Sequence, residues 1–277
     1  MKVLIIGPNF FSYTKAISKE INKRSVQCFT FNELHSNGVV TKIGYRLNLD
    51  FLFKDKINLH RAKVFRFIDD NQISDVLFIS PEVVSDGFLL EVKKRSRVHL
   101  YMWDGFKNKK NTLSVLKYFN TKSSFDMFDC QHYGMNYIPL FAESEYCAKS
   151  VKIIYDMSFC GTIHSDRPSW IGMLLKYTKV EGLKIGLFLY YYSPLLLFIR
   201  LTLNKCCFNL FSKVSYDSFS KKDIANLFRE SKVVVDLTHP NQNGLTSRTF
   251  EALRTGSKLA TNNKNCKILV KEFPSRI

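Results

Sequence analysis

No CxxC pair occurs among the seven cysteines, which stand at 28, 130, 147, 160, 206, 207 and 266. Their number is odd and their surroundings are mostly apolar. That argues against a disulfide-stapled scaffold or a zinc ribbon and fits buried thiols in a reducing cytoplasm. Acidic residues are scarce: 24 against 41 basic, a net charge of +17. The excess is not confined to a tail, since residues 1–150 carry 22 basic and 15 acidic side chains (+7) and residues 151–277 carry 19 and 9 (+10). A basic surface of this kind suits phosphorylated small molecules, anionic membranes or polyanions. No zinc-finger spacing, basic helix or ribonucleoprotein-type aromatic motif accompanies it, so nucleic acid has only the charge in its favour. The N-terminal "MKVLIIGPNF" has one lysine and four consecutive apolar residues, too few for the core of a signal peptide. Short-period repeats and low-complexity linkers are absent as well.

What is there is a chain of 277 residues, 45% apolar, long enough for one large or two medium domains. Its longest apolar stretch, "LKIGLFLYYYSPLLLFIRLTL" (183–203), has only Lys184 and Arg200 charged. Pro194 in its middle, the triple tyrosine and the strand-like first half speak against a membrane span. It reads as a buried strand, a turn near Ser193-Pro194 and an apolar helix. With Arg200, Lys205 and Lys213 nearby, that helix is suited to rest on an anionic membrane surface.

The first half alternates strand-like and helix-like periods. "KVLIIG", "SVQCFTF", "SDVLFIS" and "RVHLYMW" read as strands, and "YTKAISKEINKR" and "DGFLLEVKKRS" as helices. The stretch 46–71 reads as mostly helical, with Leu47, Phe51, Leu52, Ile57, Val64, Phe65 and Ile68 available for a core. "SSFDMF" and "MNYIPL" read as two further short strands. The pattern restarts at "YDMSFCGT" (155–162), followed by a helix that Pro168 opens. "LKIGLFLY", "KVSYDSF", "KVVVDLT" and "SKLATN" read as strands. "SKKDIANLFRES" reads as a helix with a capping-box-like Ser220 and Asp223, and "SRTFEALRTG" as one closed by Gly256. Strands separated by helices argue for parallel sheets covered on both faces, here in two doubly wound units.

In such sheets ligands sit beyond the carboxyl ends of the strands, which makes the strand-to-helix loops informative. Gly7-Pro8-Asn9 is not GxGxxG and fits a tight turn better than a nucleotide site. Asp104, after "RVHLYMW", stands where a carboxylate can do acid–base work or cap its own loop, and both readings are open. Glu82 is a weaker candidate for the same chemistry. In the loop after 155–162, Gly161 permits close backbone approach, while Thr162, His164 and Arg167 offer groups for phosphate oxygens. After "KVVVDLTHP", the amides of Gly244, Leu245 and Thr246 lie at the start of a helix, a position that favours an anion. Arg248 in that helix's first turn opposes the dipole, a local cost that an anionic ligand or an acidic partner offsets. Glu251, three residues on, shares its face. It reads either as an acceptor for both ribose hydroxyls or as one half of an ordinary surface ion pair.

These passages resemble the C-terminal donor domain of GT-B glycosyltransferases, and more narrowly the group-one-like enzymes of bacterial O-antigen and capsule clusters. The resemblance is carried by "DMSFCGTIHSDR" (156–167), "SKVVVDLTHPNQNGLTSRTFEALRTGSKLATNN" (231–263), "YMWDGFKN" (101–108) and "FDMFDCQHYGMNYIPLF" (125–141). It implies two Rossmann-like doubly wound α/β domains facing a cleft: an acceptor-side domain at 1–145 and a nucleotide-sugar-binding domain at 146–277. It implies that Gly161, Thr162 and Arg167 approach the diphosphate, with His164 and His239 on the donor side. Gly244, Leu245 and Thr246 then give phosphate contacts, Arg248 lies beside them, and Glu251 takes the ribose. No metal and no cofactor is then expected, the nucleotide-sugar being a substrate and helix termini and basic side chains neutralising the leaving group.

Two departures from the family pattern stand out. Retaining members carry two glutamates eight positions apart; Glu251 fits the second, but Asn243 occupies the place of the first. Asn243 can still hydrogen-bond sugar hydroxyls, and an inverting path would take its base from the first domain, where Asp104 is the candidate. Family members also continue past "ATNN" through another strand and helix, so the resemblance implies a short C-terminal part and impaired activity. The function expected is transfer of a sugar to a lipid-linked or surface-polysaccharide acceptor in lipopolysaccharide, O-antigen or capsule assembly. It would take place in the cytoplasm, with peripheral contact at the inner face of the plasma membrane. The alternative is a catalytically degenerate nucleotide-binding protein of the same fold.

Overall fold

The computed structural model describes residues 1–8, 13–36, 38, 41, 45, 49–107, 109, 111–163, 166–203, 208–239 and 242–277. The chain divides into two compact units, Met1–Pro139 and Leu140–Ile277.

In the first unit, β1 (Lys2–Gly7), β2 (Gln27–Asn32), β3 (Asp75–Ile79), β4 (Arg97–Met102), β5 (Thr121–Ser124) and β6 (Asn136–Tyr137) form one sheet. Its order is β2-β1-β3-β4-β5-β6, with every neighbouring pair parallel. Parallel strands need crossovers, supplied here by α1 (Tyr13–Asn22), α2 (Lys54–Asn71), α3 (Asp86–Lys93), α4 (Asn111–Val115) and α5 (Met127–Tyr133). The alternation of a strand splits β1 between two cores. Leu4 and Ile6 pack with Val64, Ile68, Phe78 and Leu89 on one face, and Val3 and Ile5 with Cys28, Ile79, Ile17 and Ile21 on the other. Gly7 serves close packing: a Cβ there would stand 3.0 Å from Cβ of Ile79.

Two local expectations are corrected. In the described part of the mostly helical stretch 46–71, a tight turn at Asp50–Phe53 precedes α2, and Phe51 and Leu52 do not join the core. Three residues per turn put Phe51 and Leu52 out of phase with the buried stripe of α2, and both are exposed while Val64 and Ile68 are buried. Leu47 lies outside the described residues. In "SSFDMF" the strand ends at Ser124, because the Asp126 side chain accepts the amide of Phe128 and starts α5.

In the second unit, β7 (Tyr155–Thr162), β8 (Ile185–Tyr190), β9 (Val214–Ser215), β10 (Ser231–Asp236) and β11 (Lys258–Thr261) form a sheet of order β11-β10-β7-β8-β9, again parallel throughout. Helices α6 (Arg167–Val180) and α7 (Pro194–Leu203) cover one face through Ile171, Leu197 and Leu201. Helices α8 (Lys221–Arg229) and α9 (Ser247–Thr255) cover the other through Ile224, Phe228, Ala252 and Leu253. Pro168 stands in the first turn of α6, Ser220 and Asp223 form a full capping box before α8, and Gly256 ends α9 at φ 91°. The chain winds outward from β7 through β8 to β9, then returns to lay β10 on the opposite side of β7. The switch point of this sheet is therefore the gap between the carboxyl ends of β7 and β10.

Candidate functional site

Of the residues expected from the second half of the sequence, Arg167 lies at that switch point. Arg167, at the start of α6, donates from Nη1 to the carbonyl of Thr162 (3.2 Å) and from Nη2 to the carbonyl of Leu237 (3.0 Å). One guanidinium thus bridges the ends of β7 and β10. Gly161 makes room for it, since a Cβ there would lie 3.0 Å from Phe159 Cζ and 3.3 Å from Arg167 Nη1. Burial pulls the Arg167 pKa below its usual value, against the nearby carboxylate of Asp236. A half-dehydrated cation of this sort attracts an anion more strongly than a solvated one.

The start of α9 is built on Asp236, the last residue of β10. Its Oδ2 accepts hydroxyl hydrogen bonds from Thr246 and Thr249, each at 2.7 Å. Thr246 in turn caps the helix by accepting the amide of Thr249 at 3.3 Å. Leu245 is buried in the core beneath α8 and α9, which pins the loop from below. Above it, Asn263 Nδ2 donates to the carbonyls of Asn243 (3.3 Å) and Gly244 (3.1 Å), and Asn265 Nδ2 to that of Asn243 (2.8 Å). The carbonyls of the 243–244 turn are thereby tied to the segment after β11. His239 is half-buried, and its carbonyl accepts the amide of Gln242 at 2.9 Å. His164 lies outside the described residues.

One turn into α9, Arg248 Nη1 donates to Glu251 Oε2 at 2.8 Å. This is no solvated surface pair: the Glu251 side chain is 1% exposed and that of Arg248 23%. The Arg248 guanidinium also lies over the Phe228 ring, 5.1 Å from its centroid. Tyr146 is buried nearby, its phenol pushed up by burial and by the charge of Glu251.

In the first unit, Asp104 and Glu82 both follow strand ends, of β4 and β3. Ser80 Oγ accepts the amides of Trp103 (2.7 Å) and Asp104 (3.2 Å), with Ser80 itself in the left-handed region at φ 38°. Burial raises the Asp104 carboxyl, Lys109 opposes the rise and Glu82 adds to it. No described residue donates a hydrogen bond to the Asp104 carboxylate. Glu82 is ion-paired with Lys109. Beside them stands Glu33, just past β2, whose Oε1 accepts the amides of Glu82 and Val83, both at 2.7 Å. Burial raises its carboxyl to about 7, with those two amides working against the rise.

Sequence reasoning missed Glu33, Tyr146 and Asp236. Asp236 had a legible signal, a lone carboxylate closing the buried run "KVVVD" ahead of a helix start. Glu33 and Tyr146 had none, since their roles depend on neighbours distant in sequence. Among the described residues no group of three or more His, Cys, Asp or Glu is placed to hold a metal ion. Nor is any described helix long and apolar enough to cross a membrane.

No family model and no curated protein matches the chain. Solved structures do. A structure of Anabaena HepE in complex with UDP-glucose is similar over 98% of this chain and 83% of its own, with 10% identity and a TM-score of 0.60. The UDP-GlcNAc 2-epimerase from Neisseria meningitidis bound to UDP-GlcNAc is similar over 94% and 82%, with 9% identity and a TM-score of 0.53. The lipopolysaccharide outer core galactosyltransferase WaaB is similar over 94% and 80%, with 11% identity and a TM-score of 0.52. These likenesses establish the fold: an α/β chain with two parallel sheets, of the GT-B kind.

Proposed function

We propose that the chain is a glycosyltransferase that takes a nucleotide-sugar as donor and passes the sugar to a lipid-linked or surface-polysaccharide glycan. The observation that carries this reading is Arg167 spanning the carboxyl ends of β7 and β10, at the switch point where open α/β sheets hold ligands. In this reading the second unit binds the donor. Its diphosphate lies against the backbone at Gly161 and Thr162 and the loop 244–246, with Arg167 and Arg248 meeting its charge. Glu251 takes the ribose hydroxyls, and Asn243 faces the sugar. The first unit takes the acceptor, with Asp104 as base and Glu82 and Lys109 setting its field. The acceptor hydroxyl gives its proton to Asp104 as its oxygen bonds to the anomeric carbon. The bond from that carbon to the diphosphate breaks, and the charge that develops falls on Arg167 and the start of α9. A carboxyl raised by burial suits this step, because a base works best with a pKa near the working pH.

Asn243 supports a second reading, a nucleotide-binding protein without turnover, since no glutamate stands where retaining members carry one. The solved structures of this fold include an epimerase bound to UDP-GlcNAc as well as a galactosyltransferase, so the test separates three outcomes. The protein is screened by thermal shift against UDP-, GDP-, CMP- and dTDP-sugars, then assayed for nucleoside diphosphate release with glycan and lipid-linked acceptors. Selective stabilisation and acceptor-dependent release support transfer. Stabilisation without release leaves the binding protein, and rearrangement of the sugar while it stays on the nucleotide overturns transfer. If no nucleotide-sugar stabilises the chain, the donor-site assignment fails.

A further inference from the structure

The outward layer of α6 and α7 is apolar where a water-facing helix layer is ordinarily polar. On α6, Trp170, Met173, Tyr177 and Val180 are all exposed, Val180 at 75%. Their spacing of three, four and three residues sets them in one stripe along the helix. On α7, Leu195, Leu196, Phe198 and Ile199 are exposed, Leu195 at 66%, while Leu197 and Leu201 turn into the core. Both helices cover the same face of the second sheet, in the adjoining crossovers β7–β8 and β8–β9, so the two sets belong to one surface. Scattered exposed apolar residues need no explanation, but eight on two adjoining helices mark a surface made to be covered.

Charge decides what covers it. Neither helix sequence contains an acid: α6 (Arg167–Val180) carries Arg167, Lys176 and Lys179, and α7 (Pro194–Leu203) carries Arg200. Lys176 and Lys179 are exposed within the turns that carry the α6 stripe. A second copy of the chain meeting this face symmetrically would set like charge against like. An anionic lipid surface meets both components with their complements: headgroup phosphates for the lysines and the acyl boundary for the apolar stripes. With no described helix able to cross a bilayer, the contact is with its surface.

We propose that the α6–α7 face docks the protein on an anionic bilayer. The proposal stands apart from the transferase reading, because vesicle binding is measured without donor or acceptor. The full chain is sedimented with vesicles of phosphatidylglycerol and phosphatidylethanolamine, and with vesicles of phosphatidylcholine alone. Binding to the first, weakened by salt and absent from the second, is expected. The chain has two tryptophans, so Trp103→Phe leaves Trp170 as the reporter, and brominated acyl chains should quench it. The double variant Leu195→Gln/Phe198→Gln, with its circular dichroism and Tm unchanged, should lose vesicle binding. Lys176→Ala/Lys179→Ala should weaken it about thirtyfold. No binding to anionic vesicles overturns the proposal, as does equal binding to phosphatidylcholine or binding kept by both double variants. A dimer that Leu195→Gln/Phe198→Gln dissolves, without vesicle binding, gives the face to a second copy instead.

Discussion

Arg248 and Glu251 are joined across 2.8 Å on one face of α9, and the carboxylate is almost wholly buried. The same two residues on a solvated helix would contribute only tenths of a kcal/mol. Here a cation sits in the first turn, where the helix dipole opposes it, and the carboxylate neutralises it within the protein. Glu251→Ala removes the carboxylate that accepts from Arg248 Nη1, a change of the kind that costs about 3–5 kcal/mol when a buried pair is broken. Nucleotide-sugar affinity should fall at least about tenfold in Glu251→Gln, which keeps the shape and loses the charge-assisted acceptor. Isothermal titration against the donor that gives the largest thermal shift measures it. Unchanged affinity with lowered Tm would make the pair structural alone.

Asp104 offers a cleaner separation of binding from chemistry. Its amide is held by Ser80, its carboxyl is raised by burial, and no described side chain occupies it. Asp104→Asn keeps volume and removes the base, so donor affinity should stay within about twofold while kcat falls by roughly 100-fold or more. The measurement is nucleoside diphosphate release under saturating donor. Turnover at the wild-type rate would remove Asp104 from the mechanism.

Much of the second unit was legible because its signals are local. "KVVVDL" is a buried strand by its run of valines, Gly256 closes α9 by cap chemistry, and Arg248 and Glu251 share a face by helical spacing. The burial of Glu251 was not legible, since it depends on Tyr146, about a hundred residues earlier, and on the packing of α8. Glu33 was hidden for the same reason: the amides that it accepts belong to residues 49 and 50 positions away. Phe51 and Leu52 misled because hydrophobic periodicity does not register a switch from 3.6 to three residues per turn.

Thr246 joins strand, helix and loop through one hydroxyl, donating to Asp236 and accepting from Thr249. Thr246→Val keeps the β-branched shape and removes both bonds, leaving the Asp236 carboxylate with Thr249 as its remaining hydroxyl donor in this pair. Loss of the cap costs about 1 kcal/mol, and the weakened support of a buried carboxylate adds to it. Chemical denaturation should therefore show a loss of about 2 kcal/mol with the slope unchanged. Thr246→Ser, which keeps the hydroxyl, should recover most of it.

Glu33 gives the molecule a pH signature. In the folded chain burial holds its carboxyl at about 7, against an ordinary value of 4.5. Between those values the folded state keeps a proton that the unfolded state has released, so rising pH favours unfolding. The contribution is fully present below about 4.5, is lost as pH rises through about 7, and then stays level. Glu33→Gln, which cannot ionise, should flatten the stability profile across that window and leave the variant the more stable partner above it. Denaturant midpoints at intervals from pH 5 to 8 read this directly, compared at each pH with the wild type. Parallel profiles for the two proteins would place the titration elsewhere and return Glu33 to the part of an ordinary ionised acceptor for the Glu82 and Val83 amides.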